Sequence, residues 1–389
     1  MVSQNRKFVD GKKIKKIKVL MPSDRSFKEM DDFCQGGGEA FSVSRYGYEI
    51  LKNSSTLDID VMECNDQHPV IKFLKPFLGH EANNLVSQLK IISSSSDYDI
   101  IYYSSDRHPY LISMAKFFGL CQTPVLMLCH FSFNTQLTDK FFKKIVLRVE
   151  RWMVFKSIES ILFLCDSVMR LAMNDFRVPS RHLKNSHWGA SLEYFSRTSD
   201  NSIDVPDEFY FSSGGAVRDY KTLIDAFREL DLTLVISCPM EVVHENHPLP
   251  KNVIHYDFAA NGMHSFSDIR SLNQRAKAIL IPIKETNHVP NASSTFVEAL
   301  ACGKPILISD TGNTFLDVEA EEIGLKVKML DVNDWIRKIF FFEKNPNTLE
   351  SMSENAFKAA KTYCNYELFA TVVEQNIRTL SERRFSNKN

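Results

Sequence analysis

The residues best suited to chemistry in this chain stand in a few short runs, and the densest is NASSTFVEALACGKPILIS at 291–309. There the small polar residues Ser293, Ser294 and Thr295 stand where a strand-like run, AILIPI, gives way to a helix-like one. The first N–H groups of a helix have no intrahelical partner, and the positive end of the dipole adds to them, so such a start attracts an anion. Small side chains let a phosphate come close. One carboxylate, Glu298, follows about one turn later, where it can accept hydrogen bonds from sugar hydroxyls. The same spacing, Thr295-x-x-Glu298, fits a capping box in which Glu298 only satisfies the Thr295 N–H. Spacing alone leaves both readings open.

A second run, FSSGGAVRDYKTLIDAFREL at 211–230, holds Arg218, whose forked guanidinium suits two phosphate oxygens. Lys221 is a weaker candidate, since the first helical turn can simply face solvent. In the first half, QGGGEAF places Gly36, Gly37 and Gly38 just before a helical segment, where the backbone can approach a ligand closely. A plain surface turn is the alternative. His130 ends the strand-like run PVLMLCH, and ligands of open α/β sheets collect beyond the carboxyl ends of strands. Other chemistries lack support: no zinc-ligand spacing occurs, and no Gly-x-Ser-x-Gly elbow. Asp58-x-Asp60 and Asp97-x-Asp99 spell a metal-binding pattern, but each lies at or beside a strand of the repeat and reads as a solvated pair. No metal site is expected.

These residues need a frame. Apolar bursts of four to six residues alternate with helical periods, which is the pattern of parallel α/β sheets. Strands are expected at 17–22, 57–63, 98–104, 124–130 and 160–166, then at 209–215, 232–237, 252–257, 277–283 and 305–310. Helices fit between them at 37–51, 109–120, 220–230, 266–276 and 294–303, and the last forty residues look helical and amphipathic. At 389 residues the chain exceeds one ordinary core, and the polar, turn-rich stretch 194–208 is the natural boundary. Two doubly wound domains facing a cleft are expected.

Net charge is -1, with 44% hydrophobic and 24% charged residues, so no global nucleic-acid footprint exists. Eight scattered cysteines without a CxxC pair read as reduced, buried thiols of a cytoplasmic protein. The first twenty residues are rich in lysine but no signal-peptide core follows, and no run is apolar enough to span a bilayer. The segment KFFKKIVLRVERWMVFK at 140–156 mixes aromatics with six basic residues, as a helix lying on an anionic membrane surface does. A helix packed on the sheet with its basic residues in water fits it equally. A cytoplasmic protein touching the inner face of a membrane is the expectation.

The run VEALACGKPILISDTGN resembles the nucleotide-sugar-binding segment of the GT-B glycosyltransferases, in particular the retaining family 4, also called glycosyl transferases group 1. FSSGGAVRDYKTLIDAFREL resembles the family's first C-terminal strand, turn and helix, HLKNSHWGASLEYF its interdomain linker, and QGGGEAFSVSRYGYEIL its N-terminal glycine-rich loop. The resemblance implies the GT-B fold: two Rossmann-like domains, here 1–195 for the acceptor and 205–365 for the donor, with a C-terminal helix, 366–389, crossing back to the first. It further implies Glu298 on the donor ribose, and Arg218, Lys221, Gly215, Ser293, Ser294 and Thr295 around the diphosphate. His130 would meet the transferred sugar, with His130 and Arg218 as the catalytic pair. Gly36, Gly37 and Gly38 would wall the cleft, while Gly189 makes a turn and Phe195 anchors it. The implied activity is metal-independent, retaining transfer from a nucleotide-diphosphate sugar to a glycan or lipid-linked acceptor in polysaccharide synthesis, with no other cofactor. One departure stands out. Family members often carry a first glutamate seven residues before the second, and this chain has Pro290 there. That departure keeps a non-catalytic nucleotide-sugar-binding subunit in view, and a nucleotide-sugar 2-epimerase shares the fold.

Overall fold

Strand pairing sorts the chain into two sheets, both parallel throughout. The computed structural model describes residues 16–23, 27, 45–63, 69–78, 81–104, 109–129, 141–164, 169–170, 172–174, 183–197, 203–215, 217–243, 248–256, 266–284, 293–311 and 316–386. The first sheet contains β1 (Ile17–Ser23), β2 (Leu57–Glu63), β3 (Ile100–Tyr103), β4 (Val125–Cys129), β5 (Ser160–Phe163) and β6 (Leu183–Asn185), in the order β2-β1-β3-β4-β5-β6. The second contains β7 (Tyr210–Ser213), β8 (Leu234–Ser237), β9 (Val253–Tyr256), β10 (Ile279–Ile281), β11 (Ile306–Ser309) and β12 (Gly324–Val327), in the order β12-β11-β10-β7-β8-β9. Each order reverses once, between β1 and β3 in the first sheet and between β7 and β10 in the second. Connections leave in opposite directions at such a point and open a crevice beyond the carboxyl ends of the two strands.

Central strands such as VLMLC of β4 and ILIS of β11 are buried at every position, because helices cover both faces of a parallel sheet. All ten expected strands are present. Two more, β6 (LKN) and β12 (GLKV), occur at sheet edges. An edge strand buries too few side chains to need an apolar run, so no periodicity marks it. Of the helix expected at 37–51, residues 45–51 are described, and only Tyr48–Leu51 is α-helical: Tyr46 at φ 50° and Gly47 at φ 87° are left-handed, so the helix cannot run through them. The remaining expected helices run Tyr110–Phe117, Tyr220–Arg228, Phe266–Arg275 and Ser293–Ala301.

Alternate side chains of the first sheet enter different cores. Leu20, Ile101, Met127 and Phe163 pack with Ile112 and Ala115 of Tyr110–Phe117 and with Val154 and Phe155 of the helix Phe141–Ser157. Val19, Tyr102, Leu128 and Leu162 share the other core with Phe369, Val373, Ile377 and Leu380. Those last four belong to the C-terminal helix, Tyr366–Ser386, which therefore does cross back. It is fastened along its length. Tyr366 Oη accepts from Gly47 N at 3.1 Å, Glu374 accepts from Ser54 Oγ at 2.8 Å and Thr56 Oγ1 at 2.7 Å, and Arg384 donates to the carbonyls of Tyr98 and Asp99 at 2.9 and 2.7 Å.

The two chain passages between the sheets touch each other. Ala190 N donates to Cys364 O at 2.9 Å and Tyr366 N to Ala190 O at 3.0 Å, a parallel bridge between the linker and the start of the last helix. Gly189 serves this approach, since a Cβ there would lie 2.3 Å from the Asn365 carbonyl oxygen. Backbone cannot step aside as a side chain can. Gly189→Ala should therefore cost about 2–3 kcal/mol of stability, read from the midpoint of urea unfolding. An unchanged midpoint would mean that the two passages separate freely.

Candidate functional site

The turn after β7 and the segment after β10 meet at the switch point of the second sheet. Gly214, just beyond β7, has φ 99°, and Val217 has φ 56°. This double left-handed excursion turns the chain back so that Arg218 pairs with Ile283 as an isolated antiparallel bridge. Asp219 N donates to Pro282 O at 3.1 Å and Lys284 N to Val217 O at 3.3 Å, stapling one crossover to the other. The Asp219 side chain then caps Tyr220–Arg228 by accepting from Thr222 N at 3.2 Å.

Arg218 is buried in this junction, only 6% exposed. Its Nε donates to Ser213 O at 3.1 Å and its Nη2 to Thr295 Oγ1 at 3.3 Å, and Ser213 Oγ lies 3.4 Å from the same hydroxyl. Tyr220, whose Oη donates to Gly214 O at 2.7 Å, is a further neighbour. Desolvation is the largest influence on the guanidinium and lowers its pKa, though an arginine remains charged. The partners just named are neutral groups. A buried cation attracts an anion more strongly than an exposed one, because water screens it less.

Thr295 reaches Arg218 from the third residue of the helix Ser293–Ala301. Ser293 is partly exposed and Ser294 exposed in the first described turn of that helix, which precedes the Thr295 hydroxyl that meets the guanidinium; the N–H groups of a first helical turn attract an anion. Thr295 stands inside the helix Ser293–Ala301, so it is not the cap. No hydrogen bond joins Thr295 N to the Glu298 carboxylate, and the capping-box reading falls.

Glu298 stands on the same helix, partly accessible to solvent. Desolvation nevertheless pushes its pKa up to about 7. A group can keep some accessible surface while protein crowds most of its surroundings, and the crowding governs its ionisation. Cys302 lies four residues further along and feels the charges of Glu298, Lys304 and Arg270, which gathers these groups at the same helix end. Burial is the main reason that the Cys302 thiol is raised, which disfavours the thiolate. Arg270, on Phe266–Arg275, is buried and stacks over the Tyr194 ring of the linker at 4.6 Å.

Of the residues picked from sequence, Arg218 and Thr295 are in hydrogen-bond contact, and Ser293, Ser294 and Glu298 stand on the same helix as Thr295. Lys221 sits on the exposed face of its helix, held by Asp225 Oδ2 at 2.8 Å. Gly215 packs near Pro239, and its neighbour Gly214 is the one against the guanidinium: a Cβ on Gly214 would lie 2.8 Å from Arg218 Nη2. Sequence offered a glycine pair after a strand but could not say which member touches the arginine. Ser213, Tyr220 and Arg270 were not singled out, since nothing in their spacing separates them from core residues. His130 and the loop with Gly36, Gly37 and Gly38 lie outside the described residues, as does Pro290. The set-aside carboxylates have local duties, Asp60 accepting from Tyr98 Oη at 3.1 Å and Asp99 from Lys18 N at 3.0 Å. Among the described residues no group of three His, Cys, Asp or Glu side chains could hold a metal ion.

Gly214→Ala tests the cradle. It should cost about 1–2 kcal/mol of stability through the positive φ, and it should displace the guanidinium enough to weaken binding of a diphosphate about tenfold. Unaltered diphosphate affinity in the folded variant, by calorimetry, would detach Gly214 from the site.

Residues 209–359, which include β7 to β12 and every residue of this junction, match the family model for glycosyl transferases group 1. No match to the sequence is found among curated proteins. Solved structures share the fold at low identity. HepE from Anabaena, in complex with UDP and glucose, superposes with a TM-score of 0.64 at 14% identity, covering 93% of this chain and 100% of that one. Sucrose-phosphate synthase from Thermosynechococcus elongatus gives 0.67 at 13% identity over 94% and 99%. WaaG, a glycosyltransferase involved in lipopolysaccharide biosynthesis, gives 0.62 at 11% identity over 93% and 99%. The chain therefore has the GT-B fold, and within it residues 209–359 are similar to the glycosyl transferases group 1.

Proposed function

We propose that this protein is a retaining, metal-independent glycosyltransferase that moves a sugar from a nucleotide-diphosphate sugar to a hydroxyl of a glycan or lipid-linked acceptor, in polysaccharide or glycoconjugate synthesis. The observation that carries the reading is the convergence of a buried guanidinium, Arg218, with the start of Ser293–Ala301 at the switch point of the second sheet. The carboxylate of Glu298 stands farther along the same helix. A donor diphosphate on Arg218 and the helix N–H groups would leave its ribose hydroxyls to Glu298. As the bond from the sugar's anomeric carbon to the diphosphate breaks, charge grows on the leaving oxygen, and the cation and N–H dipoles stabilise it without a metal. The acceptor hydroxyl forms the new bond from the same face and gives its proton to the departing phosphate. His130, expected to contact the transferred sugar, enters from the sequence alone. The structure of HepE with UDP-glucose agrees with a nucleotide sugar as the ligand of this fold.

A thermal-shift series with UDP, GDP, ADP and CMP and their sugar conjugates, with and without EDTA, tests the reading. One nucleoside diphosphate, held far above its Kd, should stabilise the protein by about 3 kcal/mol in either condition. Absence of a shift with every nucleotide would sink the donor site. Binding without release of the diphosphate to any acceptor would instead favour the binding-subunit reading that Pro290 suggests.

A further inference from the structure

The helix Phe141–Ser157 buries one side and leaves another bare. Arg151, Val154 and Phe155 are buried, whereas Phe141, Ile145, Val149 and Trp152 are exposed at helical spacing, with Val146 beside them. The neighbouring helix Tyr110–Phe117 and the turn after it extend this stripe. Trp152 meets the Phe117 ring with centroids 5.6 Å apart, Phe117 meets Phe118 at 5.4 Å, and Phe118 and Leu120 are 66% and 76% exposed. Two elements far apart in sequence thus present one apolar surface, on the face of the first sheet opposite the C-terminal helix.

The charges around it have one sign. Apart from the buried Arg151, Phe141–Ser157 carries Lys143, Lys144, Arg148 and Lys156 against a single acid, Glu150, and residues 109–120 contain no acid at all. Lys144 and Arg148 share a helical row next to the one that bears Ile145, Val149 and Trp152, while Lys116 is already tied to Glu159 at 2.8 Å. A second copy docked on the same face would set these cations against their own kind. An anionic bilayer has no such conflict: its headgroups pair with the lysines and arginine, and its interface accepts Trp and Phe.

We infer that the surface formed by Phe141–Ser157 and residues 114–120 docks on anionic lipid, with the helix lying in the membrane plane. Among the described residues no helix is long and apolar enough to cross a membrane, so attachment through this face is peripheral. Phe141 begins the helix that follows β4, so the stripe starts on the side of the sheet where the strands' carboxyl ends open. A lipid-linked acceptor held there would arrive beside the cleft. That last consequence rests on the proposed activity, but the lipid surface does not.

Co-sedimentation of the full chain with phosphatidylcholine vesicles, with and without phosphatidylglycerol, is the test. The wild type should partition at least about tenfold more strongly onto the anionic vesicles, and added salt should reduce this. The double variants Phe118→Ser with Leu120→Ser and Lys144→Glu with Arg148→Glu should each lose at least about tenfold. Both should keep the wild-type thermal shift with nucleotide, which separates failure of this surface from failure of the donor site. Equal partition onto the two vesicle types, or undiminished binding by both folded variants, would overturn the inference. So would self-association in sedimentation that the variants abolish while no vesicle binds, because the face would then join two copies.

Discussion

Replacing Arg218 by alanine should lower affinity for the nucleoside diphosphate by two to three orders of magnitude and leave affinity for the bare nucleoside nearly unchanged. The guanidinium is buried among the Ser213 carbonyl and the hydroxyls of Thr295 and Tyr220, so an arriving phosphate meets a cation that water barely screens. Charge-assisted bonds to such a group are worth about 1.5–3 kcal/mol each, and a forked pair supplies two. Transfer should suffer at least as much, because charge on the leaving phosphate rises in the transition state. Arg218→Lys would keep the charge and lose the fork, so it should recover only part of the loss. Titration calorimetry with diphosphate, monophosphate and nucleoside separates the contributions. Equal losses for all three ligands would take Arg218 out of the phosphate site and make it a fold residue, as its backbone bridge to Ile283 would allow.

Glu298→Gln should move stability and binding in opposite directions. The folded protein raises this carboxyl to about 7 by desolvation. The folded state therefore binds the proton more tightly than the unfolded chain. Stability falls as pH rises from the ordinary carboxyl range toward 7, and the full cost of the buried charge is present above it. The neutral amide avoids that cost. At pH 8 the ligand-free variant should be more stable by about 1–2 kcal/mol, or roughly 3–6 °C in Tm, and at pH 5 the difference should shrink toward zero. Nucleotide affinity should nevertheless fall by about 1–3 kcal/mol at pH 8, since the ribose hydroxyls lose a charged acceptor. Wild-type affinity should itself rise as pH increases through 7, because the ionised form is the better acceptor. A variant as stable as wild type at both pH values would remove the buried charge from the account. Full nucleotide affinity would remove the ribose contact.

These outcomes turn on how the same residues look before and after folding. Thr295-x-x-Glu298 permitted a capping box, and only the finding that Thr295 already lies inside the helix ended that reading. The central strands and their helices were legible in the sequence because each buries a continuous apolar run or one helical stripe, and burial leaves a periodic mark. β6 and β12 left none, being short edge strands half open to water.

What the sequence by itself determined was the α/β alternation, the strands that bury a continuous apolar run, and the charged groups, Arg218 and Glu298, on which the proposed donor site rests. What tertiary structure alone decided was proximity. Ser213, Arg218 and Thr295 come from a strand end, a turn and a helix separated by up to 82 positions, and they meet because β7 and β10 are neighbours at the point where the sheet order reverses. Strand order is fixed by pairing and packing across the whole sheet, which local periodicity cannot carry. The same holds for Trp152 and Phe117, each an ordinary residue in its own helix, which form one surface only because those helices lie side by side.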